Sequence, residues 1–173
     1  DDPVPYLFLG RLQSTQAAPS AQGVERLHRF VRQQPHDAEA NYYYAMGLWK
    51  LRKGTPDTAV TAQVEGLLEN AVHYDPKFAP AYLQLGVLHS ERGDYPTAIS
   101  DYQQAIQADP QMEEAHYRLV QVYRQTGNGA KADAELEVYH QISKESAQKT
   151  ERERHEIRQF VYTLRDQPAP QSP

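Results

Sequence analysis

The stretch of sequence that decides the fold runs from Ala79 to Met112 and reads APAYLQLGVLHSERGDYPTAISDYQQAIQADPQM. Apolar and small residues recur at three- and four-residue spacing on both sides of a central Gly93-Asp94, which predicts two helices joined by a tight turn. Gly93 gives a permissive backbone where the first helix ends, and Asp94 can cap the second helix. Pro96 suits a first helical turn, and Pro110 ends the second helix.

The same arrangement recurs before and after this stretch. The next unit begins at Glu113, 34 residues after Ala79. The preceding unit begins at Ala38 and is seven residues longer. Because seven residues are close to two helical turns, an insertion of that length within a helix nearly preserves its apolar face. Thr55-Pro56-Asp57 then predicts an N-cap with a proline in the first turn, so we expect a longer helix pair. The predicted units are residues 3–37, 38–78, 79–112 and 113–143.

The third unit resembles the tetratricopeptide repeat at nearly every position, and its 34-residue period is the period of that family. His89 departs from the family pattern, which usually has Tyr at that position. The residues that carry the resemblance are Tyr82, Leu85, Gly86, Ala98, Tyr102 and Ala105. The resemblance covers residues 3–142 and implies an all-α fold, a right-handed superhelical solenoid of helix-turn-helix repeats. The style of the repeats resembles that of bacterial members of the family.

The C-terminal part of the chain predicts one more helix over residues 144–166. It is rich in Glu, Lys, Arg and Gln and contains no Gly or Pro. Ile157, Phe160, Val161 and Leu164 form an apolar stripe at helical spacing. On a terminal helix such a stripe predicts a cap that packs against the last repeat. The alternative is self-association through this helix, which would give a homodimer. Residues 1–166 are then one domain, and the Pro-rich residues 167–173 are predicted to be a disordered tail.

Composition and charge exclude several classes of function. The 173 residues carry a net charge of −5 and contain no Cys, which excludes disulfides, Cys-bearing zinc sites and thiol catalysis. A mildly acidic chain lacks the basic patch that nucleic-acid binding requires, and no apolar run reaches the length of a membrane span. The sequence begins with Asp rather than Met. We therefore expect a fragment of a longer protein and assign no compartment, cytoplasmic or exported.

Two partial motifs do not support an enzyme. His155-Glu156 opens like a zinc-protease motif, but Gln159 stands where the second His is needed. The segment Gly127–Lys131 lacks the full spacing of a phosphate loop and falls where an inter-helix turn is expected. His89 and His116 occupy repeat positions, so packing explains them better than metal binding. The sequence predicts no catalytic residue, no metal site and no cofactor.

The resemblance also implies a concave groove lined by the first helix of each repeat. Aromatic, Met and Arg side chains, which dominate binding hot spots, occur among the groove positions. The Lys/Asn/Arg clamp of chaperone-binding members is largely missing, so an apolar or amphipathic peptide or helix is the expected partner. The alternative is that Tyr42 or Trp49 packs under a neighbouring helix. The predicted groove residues are Leu7, Arg11, Tyr42, Met46, Trp49, Lys50, Leu83, Val87, Tyr117, Gln121 and Arg124.

Overall fold

The computed structural model describes the backbone of residues 4–15, 20–51 and 58–165 of the 173-residue chain. Within those ranges the backbone forms eight α-helices and no strand, which confirms the predicted all-α fold. The helices are α1 (Val4–Thr15), α2 (Ala21–Gln33), α3 (Ala38–Leu51), α4 (Thr58–Tyr74), α5 (Ala79–Glu91), α6 (Tyr95–Ala108), α7 (Glu113–Gln125) and α8 (Gly129–Arg165).

The helices pack in chain order. Each helix from α1 to α7 contacts the one that follows it, and α1 also contacts α3 as α5 contacts α7. The first helices of three successive pairs begin at Ala38, Ala79 and Glu113, the positions from which the sequence units are counted. A stack of helix pairs in which each pair contacts its neighbours is the architecture of a solenoid.

Two of the connecting turns have the geometry that the sequence predicts. Gly93 and Gly127 have positive φ angles of 77° and 75°, a backbone conformation that other residues rarely adopt. Asp94 is the N-cap of α6, and its carboxylate accepts a hydrogen bond of 3.4 Å from the backbone N–H of Thr97. These local interactions fix where α5 and α7 end and where α6 begins.

The core consists of two apolar clusters that meet at α5. The first joins residues of α2 to α5 and includes Leu27, Leu68 and Leu85. The second joins residues of α5 to α8 and includes Leu83 and Tyr102. Because α5 contributes side chains to both clusters, it connects the N-terminal repeats to the C-terminal ones.

Small residues allow α5 and α6 to approach closely. A Cβ atom added at Gly86 would lie 2.6 Å from the Cε1 atom of Tyr102, far inside van der Waals contact. Ala98 and Ala105 on α6 are completely buried. Position 86 therefore requires glycine, because the Tyr102 ring occupies the space that a side chain would need.

Part of the extra length of the second repeat appears in the structure as a longer second helix. Helix α4 has 17 residues, compared with 14 in α6. The buried residues Val64, Leu67, Leu68 and Ala71 lie on one face of α4, so the longer helix keeps a single apolar face, as expected. The predicted cap at Thr55-Pro56-Asp57 lies outside the described residues.

Helix α8 differs from the predicted arrangement of a repeat helix followed by a separate cap. It is one continuous helix of 37 residues, and its last buried side chain is Ile142. Every described side chain from Lys144 to Val161 is exposed, and Ile157 and Phe160 are both 63% exposed. We call residues 144–161 the distal segment. At 1.5 Å per residue it extends about 27 Å.

The apolar stripe of the distal segment therefore does not pack against the last repeat as expected. Helix α8 contacts α7, and the described helices provide no further element against which the distal segment could pack. No Gly or Pro occurs between Gly129 and Arg165, so the helix continues past the end of the packed array. The side chain of Leu164 and the predicted tail at 167–173 lie outside the described residues.

Candidate functional site

Helix α7 lies between two adjacent cavities. The first cavity lies between α5, α6 and α7 and has a volume of about 440 Å³. It is lined by Val87, Ser90, Glu91, Tyr102, Arg118, Gln121, Val122, Arg124 and Gln125. The lining combines two valines with hydroxyl, amide, carboxylate and guanidinium groups, so this cavity can contact both an apolar and a polar group of a ligand.

The second cavity lies on the other side of α7, against α8. It has a volume of about 420 Å³ and is lined by Glu113, Glu114, Tyr117, Arg118 and Tyr139. The rings of Tyr117 and Tyr139 lie 5.6 Å apart, and Tyr117 is 45% exposed. Arg118 lines both cavities. We call the two cavities together the α7 recess.

Four of the predicted groove residues line the α7 recess. Val87, Gln121 and Arg124 line the first cavity, and Tyr117 lines the second. Gln121 and Arg124 are exposed, and Val87 is half-buried. Sequence positions on two different helices are thus brought to the same concavity by the contact between α5 and α7.

The predicted groove residues on α3 are less accessible. The ring of Tyr42 lies 5.2 Å from that of Phe78 and 5.4 Å from that of Tyr43, and burial raises the pKa of Tyr42 to about 12. Trp49 is half-buried against the first core cluster. The alternative interpretation, in which these two aromatic residues pack under neighbouring helices, describes their surroundings well.

The remaining predicted residues lie in varied surroundings. Leu7, Met46 and Lys50 are half-buried. Arg11 is exposed, and its guanidinium donates hydrogen bonds to the Tyr43 hydroxyl at 3.3 Å and to the Glu39 carboxylate at 3.5 Å. Arg11 therefore connects α1 to α3.

Leu83 differs from the expectation that it lines the groove. Its side chain is only 6% exposed and belongs to the second core cluster, with residues of α6 and α7. The reason is the direct contact of α5 with α7, which covers a leucine placed between them. Leu83 holds the wall of the recess in place and is not available to touch a ligand.

Polar groups form the floor of the first cavity. The Ser90 and Tyr102 hydroxyls are hydrogen-bonded at 3.2 Å, and burial raises the pKa of Tyr102, so its hydroxyl remains protonated. Arg118 donates from Nη2 to the Glu114 carboxylate at 3.2 Å. Its Nε atom is buried and has no hydrogen-bond partner among the described residues. The floor therefore retains hydrogen-bonding capacity that the protein itself does not use.

A network of charged residues that sequence reasoning missed joins α4, α5 and α6. The Nδ1 atom of His89 lies 2.6 Å from the Asp101 carboxylate, and its Nε2 atom lies 3.2 Å from Glu65. Arg92 donates two hydrogen bonds to Glu65, at 2.8 and 2.7 Å. The hydrogen bonds from Arg92 lower the pKa of Glu65, whereas burial raises the pKa of Asp101. The sequence feature that could have indicated this network is His89 itself, because the family usually has Tyr at that position.

His116 has a similar structural role at the next repeat. It is buried, its Nε2 donates to the backbone carbonyl of Pro110 at 3.0 Å, and its Nδ1 faces the Glu135 carboxylate on α8. Both histidines thus hold helices together, as the sequence interpretation in terms of packing implies. In the described part of the chain, no three His, Cys, Asp or Glu side chains are grouped to hold a metal ion. None of its helices has the length and hydropathy that crossing a bilayer requires.

Repeated helix pairs with a recess on one side define the chain as a helical-repeat protein. Two tetratricopeptide-repeat family models match it, one over residues 67–100 and the other over residues 89–147. Residues 67–147 of the chain therefore carry tetratricopeptide repeats. A search of curated protein sequences found none that matches it.

Several solved structures share the fold. A crystal structure of MamA superposes with a TM-score of 0.68 at 20% identity and covers 83% of this chain and 79% of its own. A thermophilic TPR protein from Thermus thermophilus superposes with a TM-score of 0.63 at 19% identity and covers 83% of this chain and 81% of its own. Identities this low establish the fold alone, and the bacterial origin suggested by the repeats remains a prediction.

Proposed function

We propose that this chain binds an apolar or amphipathic peptide segment of another protein in its concave groove, with the α7 recess as the main contact surface. The fold is one that supports protein–protein interaction, and the proposed role requires neither catalysis nor a cofactor. The observation that carries the proposal is the recess itself, in which two cavities adjoin along α7 and are lined by four of the predicted groove residues.

The chemistry of the recess supports a peptide ligand. Tyr117 and Tyr139 offer an accessible aromatic pair in one cavity, and the half-buried Val87 offers apolar surface in the other. Aromatic side chains that remain accessible in a recess are typical anchors of binding energy. Gln121 projects from α7 and can hydrogen-bond to an extended or helical backbone. A partner segment that spans α7 would contact all of these groups.

The surroundings of Tyr42 and Trp49 support placing the contact at α5–α8 rather than along the whole groove. Because both residues pack on neighbouring helices, replacing them with Ala would destabilise the fold as well as remove groove surface. A loss of binding by those variants would then be ambiguous. Exposed side chains of the α7 recess give a sharper test.

The test is to select binders from a random peptide library displayed on phage and to measure their affinity by fluorescence anisotropy. The double variant Tyr117→Ala/Gln121→Ala is expected to lose at least about tenfold in affinity, because the aromatic anchor is gone. The matched control is Tyr74→Ala, which removes an exposed tyrosine outside both cavities. Circular dichroism should be unchanged for both variants.

Two outcomes would contradict the proposal. One is that the groove double variant binds the selected peptides as tightly as the original chain. The other is that Tyr74→Ala reduces their affinity equally, since that would place the contact elsewhere.

A second candidate function is self-association through α8, which the exposed stripe of the distal segment favours. Ile157, Phe160 and Val161 are all more than half exposed on one helix. Three side chains are a small patch compared with the roughly 1,200–2,000 Å² that stable interfaces bury, so the expected association is weak. Sedimentation over a dilution series tests it: dissociation on dilution, shifted to higher concentration by Phe160→Ser, would support it. A monomer at every concentration would exclude it.

A further inference from the structure

We infer that the peptide bound in the α7 recess carries a basic side chain, Lys or Arg, which lies against the rings of Tyr117 and Tyr139 beside the Glu113 carboxylate in the second cavity. This inference rests on the proposed function and narrows it, because it replaces an apolar or amphipathic ligand with an amphipathic one of defined charge. It depends on one unpaired carboxylate, on two aromatic rings that carry no cation, and on the charge around them.

The first step concerns the carboxylates of the second cavity. Glu114 is paired with Arg118 on the same helix, with 3.2 Å between Oε1 and Nη2. Glu113 lines the same cavity and is half-buried, but its side chain makes no ion pair or hydrogen bond in the described part of the chain. Arg118 therefore balances one of the two carboxylates, and the charge of Glu113 is uncompensated.

The position of these residues in α7 explains only part of this arrangement. Glu113 and Glu114 lie in the first turn of the helix, where the helix dipole stabilises negative side chains. The dipole does not replace water around Glu113 when a ligand covers the cavity. An entirely apolar peptide would leave a desolvated carboxylate without a counter-charge, which is strongly unfavourable. A basic side chain of the peptide would supply that counter-charge.

The second step concerns the aromatic pair. The rings of Tyr117 and Tyr139 lie 5.6 Å apart with 44° between their planes, and the cavity beside them has a volume of about 420 Å³. The face of an aromatic ring attracts a cation that lies within about 6 Å of its centre. The chain uses this interaction elsewhere between α7 and α8, where the Lys131 Nζ lies 5.6 Å from the centre of the Tyr123 ring. Among the described residues, no lysine or arginine lies over Tyr117 or Tyr139 in this way.

The third step concerns the wider charge around the cavity. Residues 93–117, which end in the first turns of α7, include five acidic side chains and no lysine or arginine. The negative charge of Glu114 also reaches α3, because it adds to burial and to the neighbouring Tyr43 in raising the pKa of Tyr42 to about 12. Within the recess itself, three carboxylates accompany two arginines. These surroundings attract a cation in preference to an anion.

The experiment uses peptides selected on the original chain from a random phage-displayed library. Each basic residue of a selected peptide is replaced by an uncharged analogue of similar length, Lys by norleucine or Arg by citrulline. At one position this change is expected to weaken binding about tenfold, because the pair with Glu113 and the attraction to the rings are both lost. The same change should weaken binding to Glu113→Gln by about threefold at most, because the partner charge is already absent there.

Further variants keep the test decisive. Tyr117→Leu retains an apolar side chain but removes the aromatic face, so it should also reduce the effect of the uncharged analogue. It repeats the comparison if circular dichroism shows that Glu113→Gln folds poorly. Glu69→Gln is the matched control, since Glu69 is an exposed carboxylate of α4 outside both cavities. The uncharged analogue should weaken binding to this control as much as to the original chain.

The outcomes separate this inference from the proposed function. Suppose that the selected peptides lose affinity for Tyr117→Ala/Gln121→Ala, but that the uncharged analogue has equal effects on the original chain, Glu113→Gln and Tyr117→Leu. The basic subsite is then wrong and the groove stands, because equal effects indicate a general attraction of basic peptides to a chain of net charge −5. The same holds if peptides without basic residues bind equally well. If neither the groove variant nor Glu113→Gln affects binding, both ideas fail.

Discussion

Helix α7 and the distal segment of α8 have the same backbone conformation but different support. Helix α7 has 13 residues, of which six are buried against neighbouring helices. The 18 residues of the distal segment include no buried side chain. The comparison shows that helical backbone alone does not define the packed domain: α7 is held by tertiary contacts, whereas the distal segment depends on its own hydrogen bonds.

Side-chain pairs along the helix give the distal segment modest support. Arg158 forms an ion pair with Glu151 at 2.7 Å, and Gln141 is hydrogen-bonded to Glu145 where the segment begins. Exposed pairs of this kind contribute only a few tenths of a kcal/mol each, about 0.2–0.5 kcal/mol. We therefore expect the distal segment to open locally, while α7 opens only when the repeats unfold together.

The largest expected effect is in α7. Leu119 is almost completely buried in the second core cluster. Leu119→Ala should lower the free energy of unfolding by roughly 2–5 kcal/mol, because it leaves a cavity between α7 and its neighbours. Urea denaturation followed by circular dichroism measures this. A loss below about 1 kcal/mol would show that α7 is not packed as described.

The next effect concerns the helix crossing that places α5 beside α6. Gly86→Ala would force the new Cβ to within 2.6 Å of the Tyr102 ring and should cost roughly 1–3 kcal/mol. Gly66→Ala is the matched control, because no atom lies within 4 Å of the added Cβ. There the better helix propensity of Ala should raise stability by up to about 1 kcal/mol. If both variants changed the free energy of unfolding in the same direction, the close approach of α5 and α6 would be contradicted.

A smaller effect depends on pH. Because Arg92 lowers the pKa of Glu65 below its ordinary value of 4.5, the pair stabilises the fold above that value. This stability is lost as the pH falls through 4.5 and then through the lower folded-state pKa. Arg92→Gln should lower the free energy of unfolding by about 0.5–1 kcal/mol at pH 7 and by less at about pH 3. The effect is small because Arg92 is partly exposed. Urea titrations at both pH values measure it, and a cost that grows on acidification would contradict the pairing.

The smallest effect is expected in the distal segment. Val161→Ala should leave the free energy of unfolding unchanged within about 0.5 kcal/mol, because Val161 is exposed and belongs to neither core cluster. The same substitution at the buried Val120 of α7 should cost about 2 kcal/mol. A comparable cost at both positions would mean that the distal segment packs against the repeats after all.

The sequence predicts the repeat region well, because its signals are local. Gly93 and Gly127 have the positive φ angles expected of turns, and Asp94 caps α6 as predicted. The small residues of α6, Ala98 and Ala105, are buried where the helices cross. Spacing at the helical period and turn chemistry suffice for such features, since each depends on residues close together in the chain.

Features that depend on contacts between distant residues are not predictable from one sequence in this way. Leu83 occupies a groove position by the repeat pattern, yet the packing of α5 on α7 buries it. The distal segment is exposed because no described helix follows α8. The local sequence of α8 gives no indication of this. The bonds of His89 to Glu65 and Asp101 join side chains 24 and 12 residues apart. The repeat pattern identifies candidate groove positions. Whether their side chains are accessible depends on the tertiary structure and cannot be read from the sequence alone.

Native-state hydrogen exchange, measured on a dilute monomeric sample, tests the contrast between α7 and the distal segment most directly. The account predicts that the amides of α7 around Leu119 exchange only through global unfolding. Those of residues 144–161 should exchange through local opening, at least about a hundredfold faster. Equal protection of the two regions would contradict the claim that tertiary packing ends at Ile142.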